Sequence, residues 1–291
     1  MANHNPKGST LNTQQALSLA LQHQQAGRLD QAADIYQRIL AADPNHTPTL
    51  NLLGILESIR GNKPRALELL RRASAAEPNN PNYHNNLGIT LRAMGQHDQA
   101  ADAYQEALRL NPNYAEAYNG LGNVFKEQNK PTEALVVYQI AVKLKPDYAE
   151  GHNNLANMLK DQGHLQQAME EYRLALKYRP NAPPVHQNLG IVLQQVGQSE
   201  QAAEEFRTAI KLKPDYAEAH NMLGVVLAAG GDYAAALQSY QKALEYKPDY
   251  AETHNNLGNL YRDRQQVQEA IAQYQLAIGY KPDLAEAHNN L

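Results

Sequence analysis

Asparagine and histidine recur at a regular spacing in this sequence of 291 residues, and both side chains can do specific chemistry. The asparagine carboxamide donates and accepts hydrogen bonds, so a row of them can bind the backbone of an extended peptide. Histidine is the commonest metal ligand in proteins. The chain contains 27 Asn and 27 Gln, nearly a fifth of all residues, together with 11 His. The spacing of these residues decides between the two chemistries.

A proline that recurs every 34 residues provides the frame for comparing them. We number this proline as repeat position 32, so that position 1 of the first repeat is Thr13. The prolines are Pro44, Pro78, Pro112, Pro146, Pro180, Pro214, Pro248 and Pro282. The frame predicts eight repeats without insertions: 13–46, 47–80, 81–114, 115–148, 149–182, 183–216, 217–250 and 251–284. Residues 285–291 begin a ninth repeat, and residues 1–12 are predicted to form a disordered leader.

Asparagine is concentrated in three columns of this frame. Position 6 contains Asn86, Asn154, Asn188, Asn256 and Asn290, with Gly120 and Met222 as interruptions. Position 5 contains Asn85, Asn119, Asn153, Asn221, Asn255 and Asn289, and position 9 contains Asn123, Asn157 and Asn259. Asparagine is a poor residue inside a helix, so its repetition there predicts a ladder that contacts a peptide backbone. The alternative is that these amides only decorate a solvated face.

Basic residues form a further column at position 12: Arg92, Lys126, Lys160 and Arg262. An acid follows three of them, at Glu127, Asp161 and Asp263. This pairing favours local charge balance on a wet surface, with contacts to acidic side chains of a partner as the alternative.

Six of the histidines occupy position 4: His84, His152, His186, His220, His254 and His288. Equivalent residues of adjacent repeats should lie about 10 Å apart, the ordinary distance between packed helices. Zinc requires all of its ligands about 2 Å from a single ion. The column therefore predicts packing rather than a metal site, and we expect neither a metal nor a cofactor.

The remaining columns indicate a pair of helices in each repeat. Position 20 is Ala in all eight repeats, position 7 is Leu, position 8 is Gly or Ala, and position 24 is aromatic in seven. Apolar residues recur on one face of each predicted helix, as in Leu121, Val124 and Phe125. Glycine near position 15 predicts a turn between the helices. The Asp-x-x-Glu motif after the proline, as in Asp147 and Glu150, predicts a capping box at the next helix.

These columns resemble the tetratricopeptide repeat (TPR) family over residues 13–291. The resemblance implies an all-α fold, a right-handed superhelical α-solenoid of helix–turn–helix repeats. Its first helices would line a concave groove, with positions 2, 5, 6, 9, 12 and 13 facing that groove. Sixteen of the Asn, Lys and Arg residues at positions 5, 6, 9 and 12 are therefore the predicted contact residues: Asn86, Asn154, Asn188, Asn256, Asn290, Asn119, Asn153, Asn221, Asn255, Asn123, Asn157, Asn259, Arg92, Lys126, Lys160 and Arg262.

The segments NLGNVFKEQNK, NLANMLKDQGH and NLGNLYRDRQQ are similar, more closely, to the TPR arms of O-linked N-acetylglucosamine transferases and related bacterial proteins. Those arms hold a substrate peptide with an asparagine ladder at position 6. The resemblance implies an alternative role as the docking arm of a larger glycosyltransferase. The ninth repeat stops at position 7 without a polar capping helix, which predicts a truncated chain or self-association through an uncapped C-terminal end.

Composition excludes several other functions. With no cysteine, the chain has neither a disulfide nor a thiolate site. A net charge of −4 gives no general reason to bind nucleic acid. No secretory signal and no membrane-spanning segment is recognisable, so we expect no membrane association and a cytoplasmic location. Nucleophile-elbow, phosphate-loop and zinc-protease motifs are absent from the sequence. We therefore expect a non-catalytic scaffold that binds an extended protein or peptide.

Overall fold

The structure is a computed structural model that describes residues 12–291, in which seventeen helices occur and no strand. The all-α, helix–turn–helix prediction is thereby confirmed. The leader predicted for residues 1–12 lies outside the described residues except for Asn12, whose side chain caps the first helix. The helices are α1 Thr13–Gln25, α2 Leu29–Ala42, α3 Thr47–Ile59, α4 Lys63–Ala76, α5 Pro81–Ala93, α6 His97–Leu110, α7 Ala115–Glu127, α8 Pro131–Leu144, α9 Ala149–Asp161, α10 Leu165–Tyr178, α11 Pro183–Gln195, α12 Ser199–Leu212, α13 Ala217–Ala229, α14 Tyr233–Tyr246, α15 Ala251–Asp263, α16 Val267–Tyr280 and α17 Ala285–Asn290.

The chain divides into two compact units, residues 1–145 and residues 146–291. In each unit, the first helix of a repeat packs most extensively on the second helix of the same repeat. First helices of successive repeats also touch, α3 with α5 and α5 with α7 in one unit, and α9, α11, α13, α15 and α17 in turn in the other. Second helices of successive repeats make no comparable contact between residues 12 and 291. First helices therefore form the inner face of each unit.

The interior of a repeat is filled by one large ring that faces a position without a side chain. Tyr138 on α8 is buried, and a Cβ atom built on Gly122 of α7 would lie 2.6 Å from its Cε1. The pair of Gly258 and Tyr274 repeats this arrangement, with a distance of 2.5 Å. Carbon atoms cannot approach so closely, so glycine at position 8 allows the ring at position 24 to lie between the helices. The predicted packing of an aromatic residue against small residues is confirmed.

The turn between the two helices of a repeat needs a left-handed residue at position 15. Gly163 has a φ of 80°, and the N–H of His164 donates to the carbonyl of Leu159 at 2.9 Å, which closes the end of α9. Asn129 and Gln265 adopt the same conformation without being glycine, with φ values of 58° and 62°. The predicted turn is confirmed, including at the two positions that lack glycine.

The predicted Asp-x-x-Glu capping boxes are wrong. Helix α9 begins after Tyr148, which is the N-cap residue and makes no side-chain capping bond, so Asp147 lies one residue too early. In two of the four motifs the glutamate instead pairs with the lysine at position 31 of its own repeat, as Glu252 does with Lys281 at 2.8 Å. That hydrogen bond lowers the pKa of Glu252. The motif therefore joins the start of the first helix to the end of the second.

Candidate functional site

The asparagines at position 5 are the most deeply buried of the predicted contact residues. Asn85, Asn119, Asn221 and Asn255 each expose 5% or less of their surface, while Asn153 is partly buried and Asn289 is exposed. Side chains at position 5 lie between adjacent first helices, as Asn221 does where it contacts Thr253 and Asn256 of the next repeat. A partner could therefore touch Asn119, Asn221 and Asn255 only through other side chains.

Three buried asparagines at position 5 each accept a hydrogen bond from an outer asparagine and so orient it. The Nδ2 of Asn256 at position 6 donates to the Oδ1 of Asn221 at 3.0 Å, and Asn290 donates to Asn255 at the same distance. In the other unit, Asn86 donates to Asn51 at 2.9 Å. Asn51 belongs to the position 5 column but was not among the predicted site residues. A carboxamide has two N–H donors and two acceptor lone pairs, so one bond to a neighbour leaves the outer amide able to bind further groups.

The interruption at Gly120 has a steric cause in the first unit. A Cβ atom on Gly120 would lie 2.5 Å from two atoms of the Tyr104 ring, so no asparagine fits there. The Oδ1 of Asn85, which an asparagine at that position would approach, is buried and accepts no hydrogen bond from residues 12–291. The row of asparagines is therefore interrupted at Gly120, where the Tyr104 ring of the preceding repeat occupies the space that a side chain would need.

The asparagines at position 9 serve the fold as well. Tyr138, Tyr172 and Tyr274 donate their hydroxyl protons to the Oδ1 atoms of the position 9 asparagine in the same repeat. The oxygen–oxygen distances are 2.7 Å to Asn123, 2.6 Å to Asn157 and 2.9 Å to Asn259. A buried phenol needs such an acceptor. Each of these asparagines is only partly buried, so its amide nitrogen remains near the inner face.

The basic residues at position 12 have acidic neighbours. Lys160 lies 3.7 Å from Asp161, and Arg262 lies 3.2 Å from Asp263. Arg92 pairs with Glu127 of the next repeat at 3.6 Å, and Lys126 also has an interaction partner. These distances favour the charge-balance interpretation, although all four side chains remain at least partly exposed.

The histidines at position 4 join consecutive repeats. The Nε2 atom of each one lies 2.8–3.0 Å from the carbonyl oxygen of the proline six residues before it. His152, His220 and His254 also pack against Tyr178, Tyr246 and Tyr280, with ring centroids 5.5–6.1 Å apart. The predicted packing role is confirmed. Within the described residues, no group of three or more potential ligands is placed to hold a metal ion.

Two of these histidines carry a second, charged hydrogen bond. The Nδ1 atoms of His152 and His186 lie 2.6 Å from the carboxylates of Glu171 and Glu205. The hydrogen bond to Glu205 raises the pKa of His186 above its ordinary value. His254 instead meets Gln273, at 2.7 Å. The same position thus meets a carboxylate in two repeats and a neutral side-chain amide in another.

A cleft of about 500 Å³ opens on the inner face of the second unit, between α9 and α11. Alanine, proline and valine side chains form its apolar part, and its polar lining comes from Glu150, Asn153, Asn157, Arg179, Asn181 and Asn188. It includes predicted contact residues of all three asparagine columns, but Arg179 and the surrounding loop were not predicted from the sequence. The missed signal was Ala182, which stands at position 34, where four other repeats have tyrosine.

None of the helices within residues 12–291 is both long enough and apolar enough to span a membrane.

Two family models match the sequence. The model described as the "Cilia and flagella-associated protein 70 C-terminal domain" matches residues 1–223, about three quarters of the chain. The model described as "TPR repeat" matches residues 226–263 and 258–291. No curated protein matches the sequence significantly.

Solved structures of similar fold include the crystal structure of the APC/C hetero-tetramer Cut9–Hcn1. That match has a TM-score of 0.67 at 17% identity and covers 96% of this chain but only 55% of the other. Pseudomonas aeruginosa pilF has a TM-score of 0.64 at 22% identity, and the match covers 72% of this chain and 95% of the other. YrrB, described as a TPR protein with an unusual peptide-binding site, has a TM-score of 0.56 at 24% identity, covering 65% and 97%. At these identities the likeness concerns the fold alone.

Proposed function

This chain belongs to the tetratricopeptide repeat family represented by the cilia and flagella-associated protein 70 C-terminal domain, and from that membership we propose that it binds an extended peptide of a partner protein through its asparagines at position 6. Proteins of this repeat type mediate protein or peptide interactions. The observation that carries the proposal is the hydrogen bond from Asn256 to Asn221, repeated from Asn290 to Asn255. A buried amide holds each outer amide in a defined orientation.

The spacing of such amides suits an extended backbone. Successive repeats place equivalent side chains about 10 Å apart, and an extended chain rises about 3.3 Å per residue, so one amide would meet every third residue of the peptide. Amides that bind backbone groups do not read side chains. The proposed recognition is therefore tolerant of sequence and strict about extended conformation.

The test begins with peptides selected from a random displayed library against the whole chain. Replacing Asn154, Asn256 and Asn290 together by alanine should weaken binding by at least about thirtyfold, because each lost hydrogen bond contributes about 1 kcal/mol. A matched control removes three exposed carboxamides from second helices, with Gln167, Gln241 and Gln275 changed to alanine, and should alter affinity by less than about twofold. Calorimetric titration gives both values.

A second measurement separates backbone recognition from side-chain recognition. Replacing single peptide bonds of a selected peptide by esters removes backbone N–H donors, and we expect this to weaken binding at every third residue. Alanine scanning of the same peptide should change affinity less. Unchanged affinity in both the asparagine variant and the ester series would refute the proposed ladder.

Two narrower roles are also proposals. The docking arm of a larger enzyme, such as a protein O-glycosyltransferase, is favoured by the repeat segments quoted above, whereas both matched family models describe repeat domains. We propose that this segment itself acts without catalysis. Its cytoplasmic location remains a prediction from the sequence.

Self-association is the second candidate interaction, because α16 exposes an apolar surface. Leu276 and Tyr280 expose 41% and 50% of their area and border a shallow cleft with Ala272 and Gly279. Sedimentation velocity over a hundredfold concentration range should then detect a dimer, and replacing Leu276 by Glu should abolish it. A monomer at every concentration would reject this interaction.

A further inference from the structure

Tyrosine at position 34 lies between consecutive repeats, and two of these tyrosines lie beneath a lysine side chain. In the second unit, the Nζ atom of Lys247 lies 4.3 Å from the ring centroid of Tyr250, and that of Lys213 lies 4.8 Å from that of Tyr216. Both lysines are at position 31. A cation over an aromatic face is attracted by the ring quadrupole. The space at this position therefore suits an aromatic ring beneath a basic side chain.

Residues at position 2 place oxygen atoms near the tyrosine at position 34. In the first unit, Tyr114 donates to the Oδ1 of Asn82 at 2.9 Å. In the second unit, burial and the nearby carboxylate of Glu218, at position 2 of the same repeat, raise the pKa of Tyr250 to about 12. Glu252 of the next repeat adds to this effect. At Tyr250, a cation therefore lies over the ring and two carboxylates lie nearby.

The repeat of residues 149–182 keeps these surroundings and lacks the ring. Ala182 replaces the tyrosine, while Arg179 stands at position 31 and Glu150 at position 2. All three line the 500 Å³ cleft. Among residues 12–291, Arg179 forms no ion pair and lies over no aromatic ring. The cleft is therefore the volume that a tyrosine occupies elsewhere, with its cation and acceptor still in place.

One atom of the cleft also lacks a donor. The Oδ1 of Asn153 is buried and accepts no hydrogen bond within the part of the chain that the structure describes. The asparagine that would supply the donor, Asn188, donates instead to Asn157 at 3.2 Å. A buried acceptor without a donor costs free energy. A ligand that carries a hydroxyl or amide donor would remove that cost.

We propose that this cleft binds a tyrosine side chain of the peptide that lies in the groove. The inference rests on the proposed peptide-binding function and names the residue that the cleft selects. The ring would lie beneath the Arg179 guanidinium, against the apolar lining from Ala182 and Val185. Its hydroxyl would donate to Glu150 or to the Oδ1 of Asn153. A phenylalanine would fill the volume but leave Asn153 without a donor.

N-acetyl-tyrosinamide is the probe for this site, titrated into the whole chain labelled with ¹⁵N. Saturable shifts are expected for the side-chain amides of Asn153, Asn157 and Asn188. N-acetyl-phenylalaninamide should bind about fivefold more weakly, because it lacks one hydrogen bond. N-acetyl-leucinamide should bind more weakly still. Equal binding of all three probes, or no saturable shift with the first, would overturn the proposal.

Ala182→Tyr is the decisive variant, because it restores a residue that four other repeats carry at this position. The new ring should occupy the cleft and weaken N-acetyl-tyrosinamide binding at least about tenfold. The melting temperature should stay the same or rise. Ala182→Ser is the matched control, since a small residue leaves the cleft open and should retain binding. Wild-type affinity in the tyrosine variant would refute the site.

The outcomes also separate this proposal from the peptide-binding function. Changing Asn256 and Asn290 to alanine affects the ladder but neither a residue of the cleft nor a hydrogen-bond partner of one, so N-acetyl-tyrosinamide binding should persist while groove-peptide binding falls. If the ladder variant leaves groove-peptide affinity unchanged but Ala182→Tyr still abolishes binding of the probe, the proposed function fails and the cleft stands. If selected peptides bind through the ladder but none needs a tyrosine, the cleft proposal fails alone.

Discussion

Two junctions between repeats of the second unit, residues 179–188 and residues 247–256, share one histidine hydrogen bond but differ in what lies between the repeats. In both, a histidine at position 4 hydrogen-bonds a proline carbonyl, His186 to Pro180 and His254 to Pro248. The junction at residues 247–256 is filled by Tyr250, whereas the one at residues 179–188 has Ala182 and a cleft. The hydrogen bond of the histidine and the packing of the helices hold both pairs of repeats together, whether the junction contains the ring or an open cleft.

The two junctions also differ in their amide pairing. At residues 247–256, Asn221 accepts hydrogen bonds from Asn256 at 3.0 Å and from Thr253 at 3.1 Å. At residues 179–188, Asn188 turns to Asn157 and leaves Asn153 without a donor. In the junction that contains Tyr250, the Oδ1 of Asn221 accepts two hydrogen bonds. In the junction with the cleft, the Oδ1 of Asn153 accepts none from the described residues. This contrast predicts which substitutions should destabilise the protein and which should be silent.

The largest effect is expected from Tyr250→Ala, which would convert the filled junction into an open one. Loss of the partly buried ring should lower the free energy of unfolding by about 2 kcal/mol, less than for a fully buried aromatic residue. Chemical denaturation measures this loss. The variant should also acquire a second saturable site for N-acetyl-tyrosinamide, beneath Lys247. A stability loss without a new site would show that an empty volume alone does not select the ring.

The next effect concerns the two asparagines. Asn221→Ala should cost about 1–2 kcal/mol, because Thr253 and Asn256 each lose an acceptor. Asn153→Ala is the matched control and should change stability by less than about 0.5 kcal/mol, since its Oδ1 has no donor and alanine favours the helix. Equal losses in both variants would contradict the contrast between the junctions.

A smaller effect should depend on pH. The pKa of His186 is raised by its hydrogen bond to Glu205, so the folded protein binds the proton more tightly than the unfolded chain. The stability from this pair is complete below the ordinary histidine value of about 6.5 and is lost as the pH rises through the higher value of the folded protein. Melting temperatures of wild type should therefore fall more between about pH 6 and pH 8 than those of Glu205→Gln.

The reciprocal variant, Gln273→Glu beside His254, provides the control for that comparison. It should create a charged pair like that of His186 and increase the fall in melting temperature over the same pH range. If the two substitutions left the pH profile unchanged, the histidine bonds would have to be neutral in both junctions.

The smallest effect concerns the turns of the same two repeats. Gly197 has a φ of 80° and Gln265 a φ of 62°, although left-handed backbone is unfavourable for a residue with a side chain. Gln265→Gly should raise the free energy of unfolding by about 0.5 kcal/mol, because the relief of strain exceeds the added entropy of the unfolded chain. Gly197→Gln should lower it by about 1 kcal/mol. Denaturation midpoints of the two variants should move in opposite directions.

Much of the fold was predictable because its determinants repeat along the chain. Glycine opposite an aromatic ring recurs in five repeats, and alanine at position 20 and a left-handed turn residue recur in all eight. These are local steric requirements that repetition makes recognisable in the sequence. The capping boxes were wrong because the motif fits either a cap or an ion pair. Only the position of the helix start shows that Glu252 is paired with Lys281.

The candidate site was predictable only as a set of columns. The sequence places asparagine on first helices, but whether Asn221 faces a partner or Asn256 depends on contacts between residues 35 positions apart. The sequence shows that Ala182 stands where four other repeats have tyrosine. Only the structure shows that this substitution leaves a cleft lined by Arg179 and Asn153.

The repeated helix pair follows from the order of residues alone, since each repeat has the small and aromatic residues that let two helices pack closely. The use of each amide is a property of neighbouring repeats. Asn256 and Asn290 each donate a hydrogen bond to a buried asparagine, Asn221 or Asn255. Asn157 accepts one from the hydroxyl of Tyr172, and the Oδ1 of Asn153 accepts none from the described residues. Whether each hydrogen bond forms depends on differences of a few tenths of an ångström in the donor–acceptor distance, which the pattern of residues does not specify.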